Sequence, residues 1–232
     1  MTTAERGGVI GFEHDVMLDD KAAQAGATAL GGFLKRTIDL AAAALLIVVM
    51  SPLFLFTALA IRLTTPGPVL FGHERIGLGG RSFRCWKFRT MESDADARLR
   101  EHLATCPTAR AEWATHRKLR NDPRVTPLGQ VLREYSVDEL PQLLNVIRGD
   151  MSLVGPRPVV AEELAGYGAE AKHYCAARPG ITGLWQVSGR SDTEFTRRIE
   201  LDAQYVRTWS LWTDLAILAR TVPAVLGARG SY

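Results

Sequence analysis

The sequence predicts an α/β chain that is mostly α-helical and organised around one membrane element. Three observations carry this. Leu40 to Ile61 runs for 22 residues without a charge. Apolar residues at helical spacing dominate most of the chain beyond it, and a glycine-rich turn separates two short strand-like segments. With 232 residues, 47% of them hydrophobic, the chain also has enough apolar material for a packed core beside the membrane run.

The composition excludes several classes. A net charge of +3 is too small to argue a nucleic-acid partner by itself. The cysteines, Cys85, Cys106 and Cys175, are odd in number and lack zinc spacing, so neither a disulfide framework nor a thiolate metal site is expected. The histidines are scattered, so any metal here should be a hard cation on oxygen ligands. Residues 1–34 show little periodicity and read as a flexible lead, with no signal-peptide pattern.

A helix over Leu40–Ile61 would reach roughly 33 Å, about the hydrocarbon thickness of a bilayer. Lys35 and Arg36 precede it and Arg62 follows. Ser51-Pro52 falls near the midpoint, where proline removes a backbone hydrogen bond and the serine hydroxyl can bond back to the preceding turn. A kinked spanning helix and a re-entrant hairpin both fit. Basic residues are equally divided between the two flanks, so the usual orientation signal is missing.

Beyond Thr64-Thr65-Pro66-Gly67-Pro68, Val69–Ile76 and Ser82–Thr90 flank Gly77-Leu78-Gly79-Gly80 and predict a β-hairpin. The second arm interleaves Arg84, Lys87 and Arg89 with Phe83, Trp86 and Phe88. Next to a membrane element this reads as an interfacial surface; nucleic-acid binding is weaker, because no recognition fold accompanies it. Residues 92–120 look helical, with Asp94 and Asp96 as first-turn acids rather than a metal-chelating loop. A turn at Asn121–Arg124 leads to a short helix carrying Arg133. The C-terminal third, through Leu201, Tyr205, Trp209, Trp212, Leu215 and Val222, reads as an amphipathic helix that lies either in the core or on a membrane surface.

The stretch the rest serves is Ser136-Val137-Asp138-Glu139-Leu140-Pro141. Ser136 and Glu139 fit a capping box, and Leu140, Leu143, Leu144 and Ile147 continue at helical spacing. Whether Ser136 or Asp138 is the cap, two carboxylates would stand in a first turn, where a nucleophile and an anionic substrate can share the site. Plain capping is the bland alternative. Downstream, Gly155-Pro156-Arg157-Pro158 pins an arginine between prolines, suited to clamping a phosphate. A second basic loop, Arg178–Gln186 with Gly189-Arg190 beyond it, offers backbone amides and arginine to an anion.

Together, Lys35–Leu40, the apolar run with Ser51-Pro52, Lys87–Met91, Ser136–Pro158 and Arg178–Arg190 resemble the monotopic phosphoglycosyl transferases. These form the bacterial sugar transferase family acting on polyprenyl phosphate. The likeness covers roughly residues 34–232 and is strongest to the small, succinoglycan-type galactosyl-phosphate transferases of exopolysaccharide synthesis. It implies a flexible lead (1–34), a re-entrant membrane helix (35–62) broken at Ser51-Pro52, and a catalytic domain (63–232). That domain would carry interfacial amphipathic helices and lie on the cytoplasmic face of the bacterial inner membrane.

The resemblance also implies a reaction. A UDP-sugar would donate hexose-1-phosphate to undecaprenyl phosphate and release UMP. Asp138 would be the nucleophile, forming an aspartyl-phosphosugar, with Glu139 assisting and both acids serving an Mg²⁺ ion. Lys87, Arg133, Arg157 and Arg178 match motif positions for substrate binding. Galactose is the first expectation for the sugar and glucose the second, and a homodimer is left open. Two other classes stay in view: a glycosyltransferase moving the sugar alone, and a non-enzymatic membrane assembly subunit.

Overall fold

The computed structural model describes residues 29–116, 119–189 and 194–227. Most of the predicted lead and the tail lie outside the described residues. The membrane run forms one helix, α1 (Gly32–Thr64), longer than the predicted 35–62 and about 50 Å long if unbent. It is continuous through Pro52, for a local reason. Pro52 has no N–H to give the Val48 carbonyl, and the Ser51 hydroxyl donates to that carbonyl at 2.8 Å instead.

One stripe of α1 (Lys35, Asp39, Ala43, Thr57, Ile61) is buried, while Leu45, Val48, Val49, Leu55, Phe56, Leu59 and Leu63 are exposed. The basic residues at its start do more than flank the apolar run: they tie the helix down. Lys35 Nζ donates to Asp214 Oδ2 at 2.7 Å and stands 3.7 Å from Asp39. Asp39 accepts from the Ser152 hydroxyl at 2.7 Å, and Arg36 donates to the carbonyls of Val146 and Ile147. Every member of this buried network has a partner, which is what makes burying its charges tolerable.

The hairpin forms as expected. β1 (Leu70–Ile76) pairs antiparallel with β2 (Ser82–Phe88), from Leu70 opposite Phe88 to Ile76 opposite Ser82. Gly79 and Gly80 both take positive φ in the connecting turn (66° and 75°), which L side chains rarely adopt. The basic-aromatic arm is not a membrane-facing patch as a whole. Cys85 and Phe88 are buried, and Arg89 donates to the Thr65 and Pro66 carbonyls beyond the end of α1.

Residues 92–120 give two helices, α2 (Ala95–Thr105) and α3 (Pro107–His116), broken at Cys106. Asp94 begins α2 and accepts from Arg98 Nε at 2.7 Å, the first-turn role expected of it. α4 (Pro127–Glu134) is capped by Thr126, whose hydroxyl accepts from Gly129 N at 2.8 Å. Then come a 3₁₀ turn (Val137–Glu139) and α5 (Gln142–Arg148).

Two short strands escaped sequence reading. β3 (Ser152–Val154) and β4 (Gly180–Thr182) pair in parallel, Ser152 opposite Gly180 and Val154 opposite Thr182. They approach so closely that a Cβ on Gly180 would lie 2.1 Å from Gly155 N. Between them lie α6 (Ala161–Ala165) and α7 (Ala171–Cys175); α8 (Phe195–Arg207) and α9 (Leu211–Leu226) come after β4. The core reading of the C-terminal helix holds for one of its two sides. Asp214 and Ile217 of α9 face the core, whereas Trp212 (80% exposed), Leu215 and Val222 face outward.

The core gathers Ala43 of α1, Cys85 of β2, Leu143 and Val146 of α5, Met151, Leu153, Val154, Tyr205 and Ile217. Asn145 of α5, fully buried, joins it to the hairpin. Its Oδ1 accepts from Trp86 N at 3.0 Å and its Nδ2 donates to Arg84 O at 2.8 Å, so one side chain pairs with β2 as a strand would. Asn145→Leu keeps the approximate volume but leaves both backbone groups without partners. The expected loss is at least about 2 kcal/mol, seen as a lower melting temperature in detergent; an unchanged melting temperature would refute the assignment.

Candidate active site

The acid pair is built by a turn, not by a cap. Ser136 is the only non-glycine with positive φ among the described residues (55°), and its side chain caps nothing. The chain turns sharply there, with Ser136 N donating to Arg133 O and Glu139 N to Ser136 O. Asp138 and Glu139 therefore sit in the 3₁₀ turn, one step before α5 begins behind Pro141. The predicted capping box does not form. A residue held in this sparsely populated conformation marks a site where geometry outranks local preference.

Cations converge on the pair from three elements. Lys87, near the end of β2, donates from Nζ to Glu139 Oε1 at 2.6 Å and lies 3.8 Å from Asp138 Oδ2. Arg133, on α4, is held by donating from Nε to Thr90 Oγ1 at 2.9 Å, with its charge acting on Asp138. Arg157 acts on Glu139, and its guanidinium carbon stands 5.6 Å from the centre of the Trp185 ring. The loop carrying it is pinned by more than its prolines: Gly180 N donates to Pro156 O, and Val159 N to the Tyr174 hydroxyl.

The two acids are driven apart electrostatically. Asp138 is 7% exposed, and burial pushes its carboxyl up to about 6; Lys87 and Arg133 pull it down, while Glu139 adds to the rise. Burial pushes Glu139 in the same direction, but Lys87 and Arg157 outweigh it, and its carboxyl lies below the ordinary range. Near neutral pH, Glu139 is the fixed partner of Lys87 and Asp138 is the poised group.

Other predicted residues lie elsewhere. Arg178 donates from Nε to Gly149 O at 2.8 Å and, with Lys35, Arg36 and Asp39, lines a small cavity at the start of α1. With Arg36, it ties down the carbonyl end of α5, where a cation suits the helix dipole. In its loop the Gly180 amide is already taken, donating to Pro156 O, and Thr182 O accepts from Gly155 N. Arg190 falls outside the described residues. Ser51 and Pro52 are exposed, in the middle of α1.

Several residues around the site were missed in the sequence. Arg75 of β1 acts on Glu139 and stands 3.6 Å from Glu163. Trp185 lies beneath Arg157 and also beneath Arg198 of α8, at 4.9 Å. The hairpin register held a usable signal for Arg75. Arg75 pairs with Phe83 and Phe71 with Lys87, so strand alternation puts Arg75 and Lys87 on one face. Nothing local marked Trp185 or Arg198, which come from separate segments of the chain.

Among the described residues, no group of three or more histidines, cysteines and acids could hold a metal by itself. Asp138 and Glu139 supply two adjacent oxygen donors, one of them a buried carboxyl that a cation would help ionise. That set fits a hard ion such as Mg²⁺ whose remaining ligands are water and substrate oxygens.

Residues 30–228 match the family described as bacterial sugar transferase. The chain is 52% identical over 203 residues to the exopolysaccharide production protein ExoY of Rhizobium meliloti, covering 88% of this chain and 90% of that protein. It is 46% identical over 225 residues to the undecaprenyl-phosphate galactose phosphotransferase of Salmonella typhimurium, covering 95% of this chain and 46% of that longer protein. To the UDP-glucose:undecaprenyl-phosphate glucose-1-phosphate transferase of Caulobacter vibrioides it is 48% identical over 206 residues, covering 85% of this chain and 72% of that protein. The buried, cation-ringed acid pair thus stands in a chain that belongs to the bacterial sugar transferase family.

Proposed function

We propose that the protein transfers hexose-1-phosphate from a UDP-sugar to undecaprenyl phosphate, and that Asp138 is the nucleophile. The observation that carries this reading is the asymmetric acid pair: one carboxylate held ionised by Lys87, its neighbour buried, poised and surrounded by cations. An Asp138 oxygen attacks the sugar-proximal phosphorus. The bond from that phosphorus to the bridging oxygen breaks, and UMP leaves with the oxygen and its electron pair. A phosphate oxygen of the lipid then attacks the same phosphorus and returns Asp138 to a free carboxylate. Two displacements at one carboxylate let a soluble donor and a bilayer-bound acceptor react without meeting.

Lys87, Arg133 and Arg157 orient the diphosphate and spread the equatorial charge, which is most of what phosphoryl transfer asks of a protein. Asp138 and Glu139 are the residues that would hold Mg²⁺, which when bound neutralises charge on the diphosphate. Arg178, tied to the carbonyl end of α5, acts on the position of the acid pair and not on phosphate. Galactose is the first reading for the sugar and glucose the second; relatives named for each are about equally identical to this chain, at 46% and 48%.

The lipid acceptor accounts for α1. Its two ends pack on one body: Lys35, Arg36 and Asp39 bond to α9, α5 and β3, while Ile61 packs with Phe88, Leu132, Val137 and Leu140. A helix crossing the bilayer would carry its ends to opposite faces. The packing therefore supports a re-entrant element, bent at Pro52, with the catalytic body on the cytoplasmic face of the inner membrane and the outward side of α9 in its interface. Val137 and Leu140, which flank the acid pair, pack in one apolar cluster with Ile61 of this helix, so the acceptor headgroup would be met beside its own membrane anchor.

Asp138→Asn tests the nucleophile. The wild type, given UDP-sugar without lipid, should release about one equivalent of UMP and carry the phosphosugar on Asp138. The variant should show no adduct by rapid quench and intact-mass analysis. The folded pKa of Asp138 lies above its unfolded value, so its buried charge costs stability as pH rises through about 6. The variant should accordingly melt no lower than wild type at pH 7.5. An adduct mapped to another residue would overturn the assignment.

The same titration predicts the pH dependence. Turnover per free enzyme should fall roughly tenfold per unit below about pH 6, as Asp138 becomes protonated. Removing the cation in Lys87→Met should move that limb upward, because Lys87 favours the ionised acid. A limb left in place would mean that another group titrates.

Topology has its own test. Single cysteines at Ala29 and Thr64, in a background without Cys85, Cys106 and Cys175, should both resist a membrane-impermeant thiol reagent in whole cells. Labelling at Ala29 alone would establish a spanning helix.

A further inference from the structure

Trp185 is buried in the 3₁₀ turn Trp185–Val187, so its ring cannot stack on a nucleobase. It serves instead as a floor for two guanidinium groups, Arg157 at 5.6 Å and Arg198 at 4.9 Å from the ring centre. α8 faces the Arg157 loop at a second point. Asp202, one turn after Arg198 and therefore on the same helix face, accepts the Tyr167 hydroxyl at 3.0 Å and feels the charge of Arg157. Arg198 shares the ring with the Arg157 side chain. The two guanidiniums are close enough for each to feel the other's charge, and Glu163 and Tyr167 are the other groups that act on Arg198.

The cations thus form an ordered series leading away from the acid pair. Lys87 bonds Glu139, Arg157 acts on both Glu139 and Arg198, and Arg198 is not among the principal influences on either acid. An aromatic floor pre-orders both guanidiniums, while placing like charges together leaves a site whose repulsion a bound anion relieves. The donor carries two phosphates, one of which must sit at Asp138, and the second needs cations of its own.

We infer that Arg198 is a binding residue for the nucleotide-side phosphate of the donor, shared with Arg157 over Trp185, and so holds the departing nucleoside monophosphate. This rests on the transferase reading above and adds to it a division of labour. Lys87 and Arg133 serve the phosphorus that is transferred; Arg157 and Arg198 serve the phosphate that leaves. Arg198 would then matter for the first displacement and not for the second, in which no nucleotide takes part.

The test uses the full-length protein in detergent, with UMP as the probe. Arg198→Gln should weaken UMP binding, measured by calorimetry and by product inhibition, by about tenfold, the scale of one charge-assisted hydrogen bond. It should slow UMP release from the donor but leave unchanged the rate at which preformed phosphosugar-enzyme is consumed by undecaprenyl phosphate. UMP affinity within twofold of wild type, or an equal slowing of both half-reactions, would overturn the inference. Should Arg198→Gln melt early, Arg198→Lys carries the test: it keeps the charge but loses the planar fork, and should weaken UMP binding several-fold. Failure of the wild type itself to release UMP would instead defeat the transferase reading.

Discussion

The geometry of the site depends on the Asn145 side chain. α5 begins beside the acid turn and β2 carries Lys87; nothing in the backbone of either obliges them to meet. Asn145 supplies that obligation by offering the Arg84 carbonyl and the Trp86 N–H one donor and one acceptor, in the spacing of a neighbouring strand. Its own carbonyl accepts from the backbone N–H groups of Gly149, Asp150 and Met151, which turns the chain out of α5 towards β3. A fully buried amide with both its N–H groups and its oxygen bonded has one acceptable arrangement, because each lost bond would leave a polar group stranded in the core. The 2.6 Å contact between Lys87 and Glu139 depends on that register.

The membrane helix is built into this body and not appended to it. At its polar end, Lys35 lies between Asp39 and Asp214, and Asp214 also accepts from the Tyr205 hydroxyl and the Trp209 ring N–H. At the other end, Ile61 packs against the residues that flank the acid pair. A charged network fixes position and an apolar contact fills space, and α1 uses one at each end. Its outward side and that of α9 are left as the apolar surfaces facing away from the core.

Burial and cation placement divide the labour between two chemically similar acids. Both lose solvation, but Lys87 bonds Glu139 at 2.6 Å and stands 3.8 Å from Asp138, and Arg157 adds to the pull on Glu139. The guanidiniums are arranged with similar economy. Trp185 carries two of them, Arg157 and Arg198, so movement of one arginine is felt by the other.

Much of this was legible in the residues. The uncharged run, the glycine hairpin and the helical spacings depend on local sterics and on periodicity, both of which a sequence displays directly. The long motif around Asp138 made the family recognisable, and Lys87, Arg133 and Arg157 do gather around the acid pair. The local conformation at the acids was not legible: Ser136 and Glu139 have the spelling of a capping box, yet Ser136 turns left-handed, because α4 and α5 must both pack on α1 and β2 and the joint between them absorbs the strain. The same limit hid β3 and β4, whose three-residue strands exist only because Gly155 and Gly180 let two backbones touch. It also gave no sign that Arg178 donates from Nε to the Gly149 carbonyl at the end of α5. Sequence by itself determined the membrane run, the hairpin and the longer helices, and which chemical groups are available. Only the tertiary structure decided which of those groups meet, because Trp185, Arg198 and Arg75 come from distant segments, and their convergence is set by packing and by buried hydrogen bonds that no local pattern encodes.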